Sequence, residues 1–153
     1  MNSPNQVHDL IYRLAEIPGR IDRAVATRSD RDKHLVSSNG EWSAAQILAH
    51  LRASDDILVH RLHAILTRDN PVLPAYDERR WAEIAGYPQA DFELSLKVFT
   101  LRRAELVTML RTITIEDWQR LGHHELKGDI SLFEVTTSLL EHEEEHCVQL
   151  ESL

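Results

Sequence analysis

Residues 132–153, LFEVTTSLLEHEEEHCVQLESL, decide the fold and show where to look for a function. Leu132, Val135, Leu139, His142, His146, Leu150 and Leu153 step by three or four residues, so they share one face of a helix. That face is the core stripe of an amphipathic helix, with two histidines standing where leucines belong. An imidazole in an apolar seam needs a hydrogen-bond partner, a charge partner or a metal. A lone histidine in such a place is most simply a bonded core residue. Two of them four residues apart stack one turn above each other and can share one divalent ion.

Working outward, three more segments carry the same helical period. The first has Val7, Leu10, Ile11, Leu14, Ile17, Ile21 and Val25 on one side, with Pro18-Gly19 expected to kink it. A polar stretch at residues 29–40 breaks the pattern. Ser43 then reads as a helix cap, with Gln46 three residues on as in a capping box. The second long helix is expected to reach about Leu66, with Ala44, Leu48, Leu51, Asp55, Leu58, Leu62 and Ile65 as its seam. Such a seam suits near-parallel packing in a bundle. Prolines and a glycine crowd residues 70–88, where a short helix over 77–84 is expected. A third long helix spans about 90–111, with Phe92, Leu96, Phe99, Leu106, Leu110 and Ile113 on one side. One further turn is expected over 115–119, and residues 123–129 read as a loop. Gly128-Asp129 and Ser131 mark the start of the last helix. The expectation is an all-α protein, a four-helix bundle with a long connection between helices 2 and 3, forming a single domain over residues 1–153.

Composition narrows the function. With 42% hydrophobic and 27% charged residues and five each of Gly and Pro, this is the composition of a soluble helical protein. A formal charge of −8 leaves no basic excess to meet phosphates, which argues against nucleic-acid or anionic-membrane binding. The single Cys147 excludes an internal disulfide and is compatible with a reducing compartment. The N-terminal apolar positions are interrupted by His8, Asp9, Tyr12 and Arg13, so no signal-peptide core is expected. No apolar run approaches the roughly 18 residues of a membrane span. A cytoplasmic protein is the expectation.

His142-Glu143-Glu144-Glu145-His146 matches both the H-E-x-x-H zinc motif and its inverted H-x-x-E-H form. An acidic helix produces such matches easily, and the protease reading needs a third ligand downstream, where seven residues follow His146. The third ligand is therefore sought upstream. His50 is the candidate, at the edge of the second helix's stripe, where a bundle builds metal sites from inward-facing side chains. His60 and His63 point off the Leu58/Leu62 seam, His123-His124 falls in the expected loop, and His8 and His34 show no pattern. Glu143 lies about 100° around the helix from His142. It reads equally as a proton carrier or acceptor for a metal ligand and as a solvated carboxylate. Asp55 sits on the core seam, where it either orients a metal histidine or, the preferred reading, pairs with Arg103. Cys147 reads as packing.

Trp42-Ser43 leading into His50-Leu51 and Asp55, and Gly128-Asp129-Ile130-Ser131-Leu132 leading into His142-Glu143-x-x-His146 and Gln149, resemble two motifs of the DinB-like (damage-inducible B) superfamily in spacing and order. The likeness covers essentially the whole chain. It implies up-down-down-up topology, frequent dimers, and a divalent metal on three histidines, which carry over onto His50, His142 and His146. The superfamily includes transferases that use bacillithiol or mycothiol, a maleylpyruvate isomerase and metal-dependent hydrolases, so the likeness bears on the metal more than on the reaction.

Three neutral imidazoles leave coordination positions open, as a catalytic centre requires, and all-nitrogen ligation suits Zn²⁺ or Ni²⁺. The expected function is metal-dependent transfer of a low-molecular-weight thiol onto a small-molecule substrate. The alternatives are a metal-dependent hydrolase and a non-catalytic metal- or ligand-binding module. A homodimer is expected, with Ile57 and Val59 as apolar candidates lying off the main seam.

Overall fold

The computed structural model describes residues 3–36 and 41–153. Its frame is four long helices: α1 (Pro4–Val25), α3 (Ala44–Thr67), α5 (Phe92–Leu110) and α6 (Leu132–Ser152). The polar break carries a short α2 (Asp30–His34), and its last four residues, 37–40, lie outside the described residues. The expected short helix in the connection is α4 (Glu78–Ala85), followed by a 3-10 turn at Tyr87–Gln89.

Local chemistry starts each long helix. Ser3 with Gln6, Ser43 with Gln46 and Ser131 with Glu134 form reciprocal capping boxes, and Asp91 caps α5 by accepting from Leu94 N at 2.6 Å. α1 runs unbroken through Pro18, whose missing N–H removes one main-chain bond from the helix. Its seven expected core residues, Val7 to Val25, are all buried.

Each helix buries its stripe against two neighbours, α1 and α3 both lying between α5 and α6. Arg13 pairs with Glu144 and Arg20 with Glu151, advancing together along both helices, so α1 and α6 run parallel. Midway along both helices Arg103 of α5 donates to Asp55 of α3 at 3.0 Å. Beyond the far end of α5, Arg120 donates to Ile65 O and Arg68 O, both at 2.8 Å, closing the C-terminus of α3. α3 and α5 are therefore parallel. Leu132 N donates to Arg120 O at 2.9 Å, which starts α6 at that same end and sends it back along α3. The order is up-down-down-up. The two parallel neighbours explain the long connection after α3: the chain must return the length of the bundle before α5 begins.

The expected loop at residues 123–129 is instead most of a hairpin. Strands β2 (Leu121–His124) and β3 (Gly128–Ser131) pair antiparallel, and β1 (Val72–Leu73) adds to β2 in parallel. Leu121-Gly122-His123-His124 has no apolar alternation, so the strand is not legible locally. His123 N bonds to Pro71 O at 2.8 Å and Glu125 N to Leu73 O at 3.2 Å, partners about fifty residues away. Gly122 is needed where this sheet crosses α3: a Cβ there would stand 2.8 Å from Leu73 Cδ1 and 2.9 Å from Ile65 Cγ1. Gly122→Ala is expected to destabilise by about 1–3 kcal/mol through overpacking, read as a lower urea midpoint at unchanged m-value.

Two further expectations are corrected. The buried line of α6 runs through Leu139, Glu143, Cys147 and Leu150, with His142 and His146 half-buried on its flank rather than at its centre. A carboxylate is hard to place in a core from sequence because it is almost never enclosed without a partner. Here the partner is Arg103. Ile57 and Val59 are half-buried, Val59 against the core, and the exposed apolar side chains of α5 are Leu94 and Leu101.

Candidate metal centre

His50 faces α6 from the first half of α3, where the antiparallel approach brings the two helices level. His142 and His146 follow one another by a turn on α6 and meet it. One ring nitrogen from each of the three lies within 4.8 Å of the others. Ring centroids are 4.7–4.9 Å apart, and His50 Nε2 stands 2.9 Å from His142 Nε2. Among the described residues no other set of His, Cys, Asp or Glu converges in this way.

Burial and the neighbouring imidazoles pull His50 down to about 3 and His142 to about 4, so both are neutral at physiological pH. Neutral rings with mutually facing nitrogens are the form a metal needs, because only an unprotonated nitrogen can coordinate. His146 Nδ1 lies 2.9 Å from Gln149 Oε1, which fixes that ring's tautomer and leaves Nε2 as its ligating atom. The donor set thus fits a divalent ion that prefers nitrogen.

An aromatic wall closes one side. Trp42 lies 5.0 Å and Tyr87 6.0 Å from His50, ring centre to ring centre, and the two rings meet edge-on. Tyr87 comes from the Pro-rich connection, where no periodicity could have marked it, and burial raises its hydroxyl to about 12, keeping it protonated. The broad groove between α3 and α5, about 980 Å³, contains none of the three histidines.

The other candidates separate. His60 and His63 are exposed, as expected, and His123 pairs at the surface with Asp129 at 2.7 Å. His124 is buried in β2, accepting from Leu126 N. Cys147 packs in the core, and burial raises its thiol to about 11, which makes it unreactive. Asp55 forms the expected pair with Arg103, at 3.0 Å, and Glu143 joins the same guanidinium. Glu143 is 1% exposed, so it is no solvated carboxylate.

The fold and the three-histidine cluster define a class of metal-site four-helix bundles, and comparison with known proteins gives the family. The sequence profile of the DinB superfamily matches residues 13–150, and the chain belongs to that superfamily. A protein of Oceanobacillus iheyensis named as a candidate metal-dependent hydrolase is 24% identical over 144 residues, 94% of this chain and 83% of that one. YfiT of Bacillus subtilis, named in the same way, is 28% identical over 122 residues, 80% of this chain and 68% of its own length. The solved YfiT structure, described as a probable metal-dependent hydrolase with an unusual four-helix bundle topology, superposes with a TM-score of 0.90. It is 25% identical, and the match covers 99% of this chain and 87% of that one.

Proposed function

We propose that this protein is a divalent-metal-dependent enzyme that joins a low-molecular-weight thiol to an electrophilic small molecule at the His50–His142–His146 centre. The observation that carries the reading is the convergence of three imidazoles on one point with no carboxylate among them. A divalent ion there, Zn²⁺ or Ni²⁺ by donor type, supplies a Lewis acid that lowers the pKa of a thiol or water brought to it.

The acids of α6 favour the thiol. Glu143 is held by Arg103 and Glu144 by Arg13, while Glu141 and Glu145 face solvent. Hydrolysis of an amide or ester also calls for a group placed to carry a proton to the leaving atom. A thiol, with a pKa near 8.5, needs only modest lowering and can release its proton to solvent. The new sulfur–carbon bond then forms as the electrophile's leaving group departs. Trp42 and Tyr87 give one wall of the site an apolar face against which a small substrate can lie. Dependence on such a thiol fits a reducing compartment, the cytoplasm.

Metal-loaded protein should turn over a generic electrophile with bacillithiol, mycothiol, glutathione or coenzyme A, need metal and thiol together, and lose activity in His142→Ala. Metal-dependent hydrolysis of an ester or amide without any thiol reaction would overturn thiol transfer and establish the second reading, which the names of the relatives favour. Neither activity would leave a metal-binding module. The expected homodimer belongs to the same proposal, with Leu94 and Leu101 on α5, 58% and 68% exposed, as the apolar surface that a second copy would cover. Light scattering giving the mass of a single chain, 17.6 kDa, at micromolar concentration would refute it.

A further inference from the structure

Three ionisable side chains are buried beside the histidines, and the chemistry above gives them no part in bond making. Arg103 of α5, Asp55 of α3 and Glu143 of α6 have side-chain exposures of 1%, 3% and 1%. A single guanidinium nitrogen, Arg103 Nη2, donates to Asp55 Oδ1 at 3.0 Å and also to Glu143 Oε1. The guanidinium lies over Phe99, 5.1 Å from the ring centre. Arg103 Nε and Nη1 and Glu143 Oε2 have no hydrogen-bond partner. As a device for stability this is poor, since desolvating charges can outweigh their attraction and apolar groups of the same shape often serve as well. Buried charges are best attested where they select one arrangement among several that an apolar interface would permit.

The placement of these charges indicates which arrangement is selected. Asp55 follows His50 by five residues on α3, and Glu143 directly follows His142 on α6. Both carboxylates therefore travel with a helix that bears a ligand, while α5, which supplies the guanidinium, bears none. We propose that Arg103 is a positioning residue for the metal centre, setting the roll and height of α6 against α3 so that His142 and His146 meet His50. The inference rests on reading the three histidines as a metal site. Its leverage is geometric. A ligand atom rides about 6 Å from the helix axis, so a 20° roll of α6 carries it about 2 Å, as far as a whole metal–nitrogen bond. Apolar contacts along Leu139, Cys147 and Leu150 are non-directional and resist such a roll weakly. Charge-assisted hydrogen bonds to two helices resist it through both distance and angle.

The test is Co²⁺ binding by the full chain, read as affinity in competition with a chelator and as the visible d–d spectrum, with helical circular dichroism as the control for folding. Two variants are used. R103K keeps the charge but shortens the reach, and the combined D55N/R103M/E143Q keeps the shapes and removes all three charges. Both are expected to remain helical, to bind Co²⁺ at least about tenfold more weakly and to show an altered d–d band. Helical variants with affinity within twofold of the parent and an unchanged band would overturn the inference while leaving the metal centre standing. Should the triple variant fail to fold, R103K decides the matter by the same criteria. Absence of Co²⁺ binding by the unaltered protein would overturn the metal centre itself, and the role of Arg103 with it.

Discussion

Replacing His146 by Ala is expected to weaken metal binding by more than about a hundredfold while the protein stays folded. Structural zinc sites bind with about 10–16 kcal/mol spread over four ligands, or about 3 kcal/mol per ligand, and each 1.4 kcal/mol is tenfold. The same loss is expected for His50→Ala and His142→Ala, because the three rings converge on one point. The fold does not rest on the ion. An apolar core runs from Val7 to Leu150 through all four long helices, and His142 and His146 stand on its flank. Chelation should therefore lower the melting temperature only by the linkage contribution, about 2.7 kcal/mol for metal at a hundred times its dissociation constant. Isothermal titration with Zn²⁺ and thermal melts with and without chelator measure both quantities. Unfolding in chelator at room temperature would show that the ion is structural.

Arg103→Ala is expected to be the most destabilising single change near the site. It removes the cation that two enclosed carboxylates share, and breaking a buried pair in this way costs about 3–5 kcal/mol, on the order of 10 °C in melting temperature for a chain of this length. The loss should depend on pH with a definite sign. Burial already pushes both Asp55 and Glu143 above the usual carboxylate range against Arg103's opposing pull, and without the guanidinium both must rise further. A carboxyl whose folded pKa exceeds its unfolded value contributes stability below the unfolded value, here about 4.5 for Glu143, and that contribution is lost as pH rises through the folded one. The difference between variant and parent should thus be widest at neutral and alkaline pH and should narrow towards pH 4. Melting curves of both proteins across that range provide the check, and a constant difference would mean that Arg103 acts through packing on Phe99 rather than through charge.

Much of the site was legible because its signals lie within single helices. Histidines at 142 and 146 are paired by the helical repeat alone, and His50 is placed by its distance from the Ser43 cap. The reading that Asp55 pairs with Arg103 also held, since a charge on an apolar seam must find a partner on a facing seam. Glu143 was harder. Its neighbours in sequence are His142 and Glu144, which gave no indication of enclosure, and the group that encloses it is forty residues away. The same distance hid Tyr87, which reaches His50 only because the connection after α3 folds back along that helix.

Legible in the sequence alone is what depends on nearest neighbours along the chain: four long helices, the capping box at Ser43, the start of α6 at Ser131, and the spacing of the two histidines on α6. These follow from hydrogen bonds and side-chain periodicity within one or two turns. What needed the folded chain was the hairpin over residues 121–131, the roll of α6 that puts Glu143 in the core with the histidines at its edge, and the guanidinium that permits it. The physical reason is the same in each case. A strand without apolar alternation and a buried carboxylate are both unfavourable alone, and each becomes stable only when a partner far along the chain completes its hydrogen bonds.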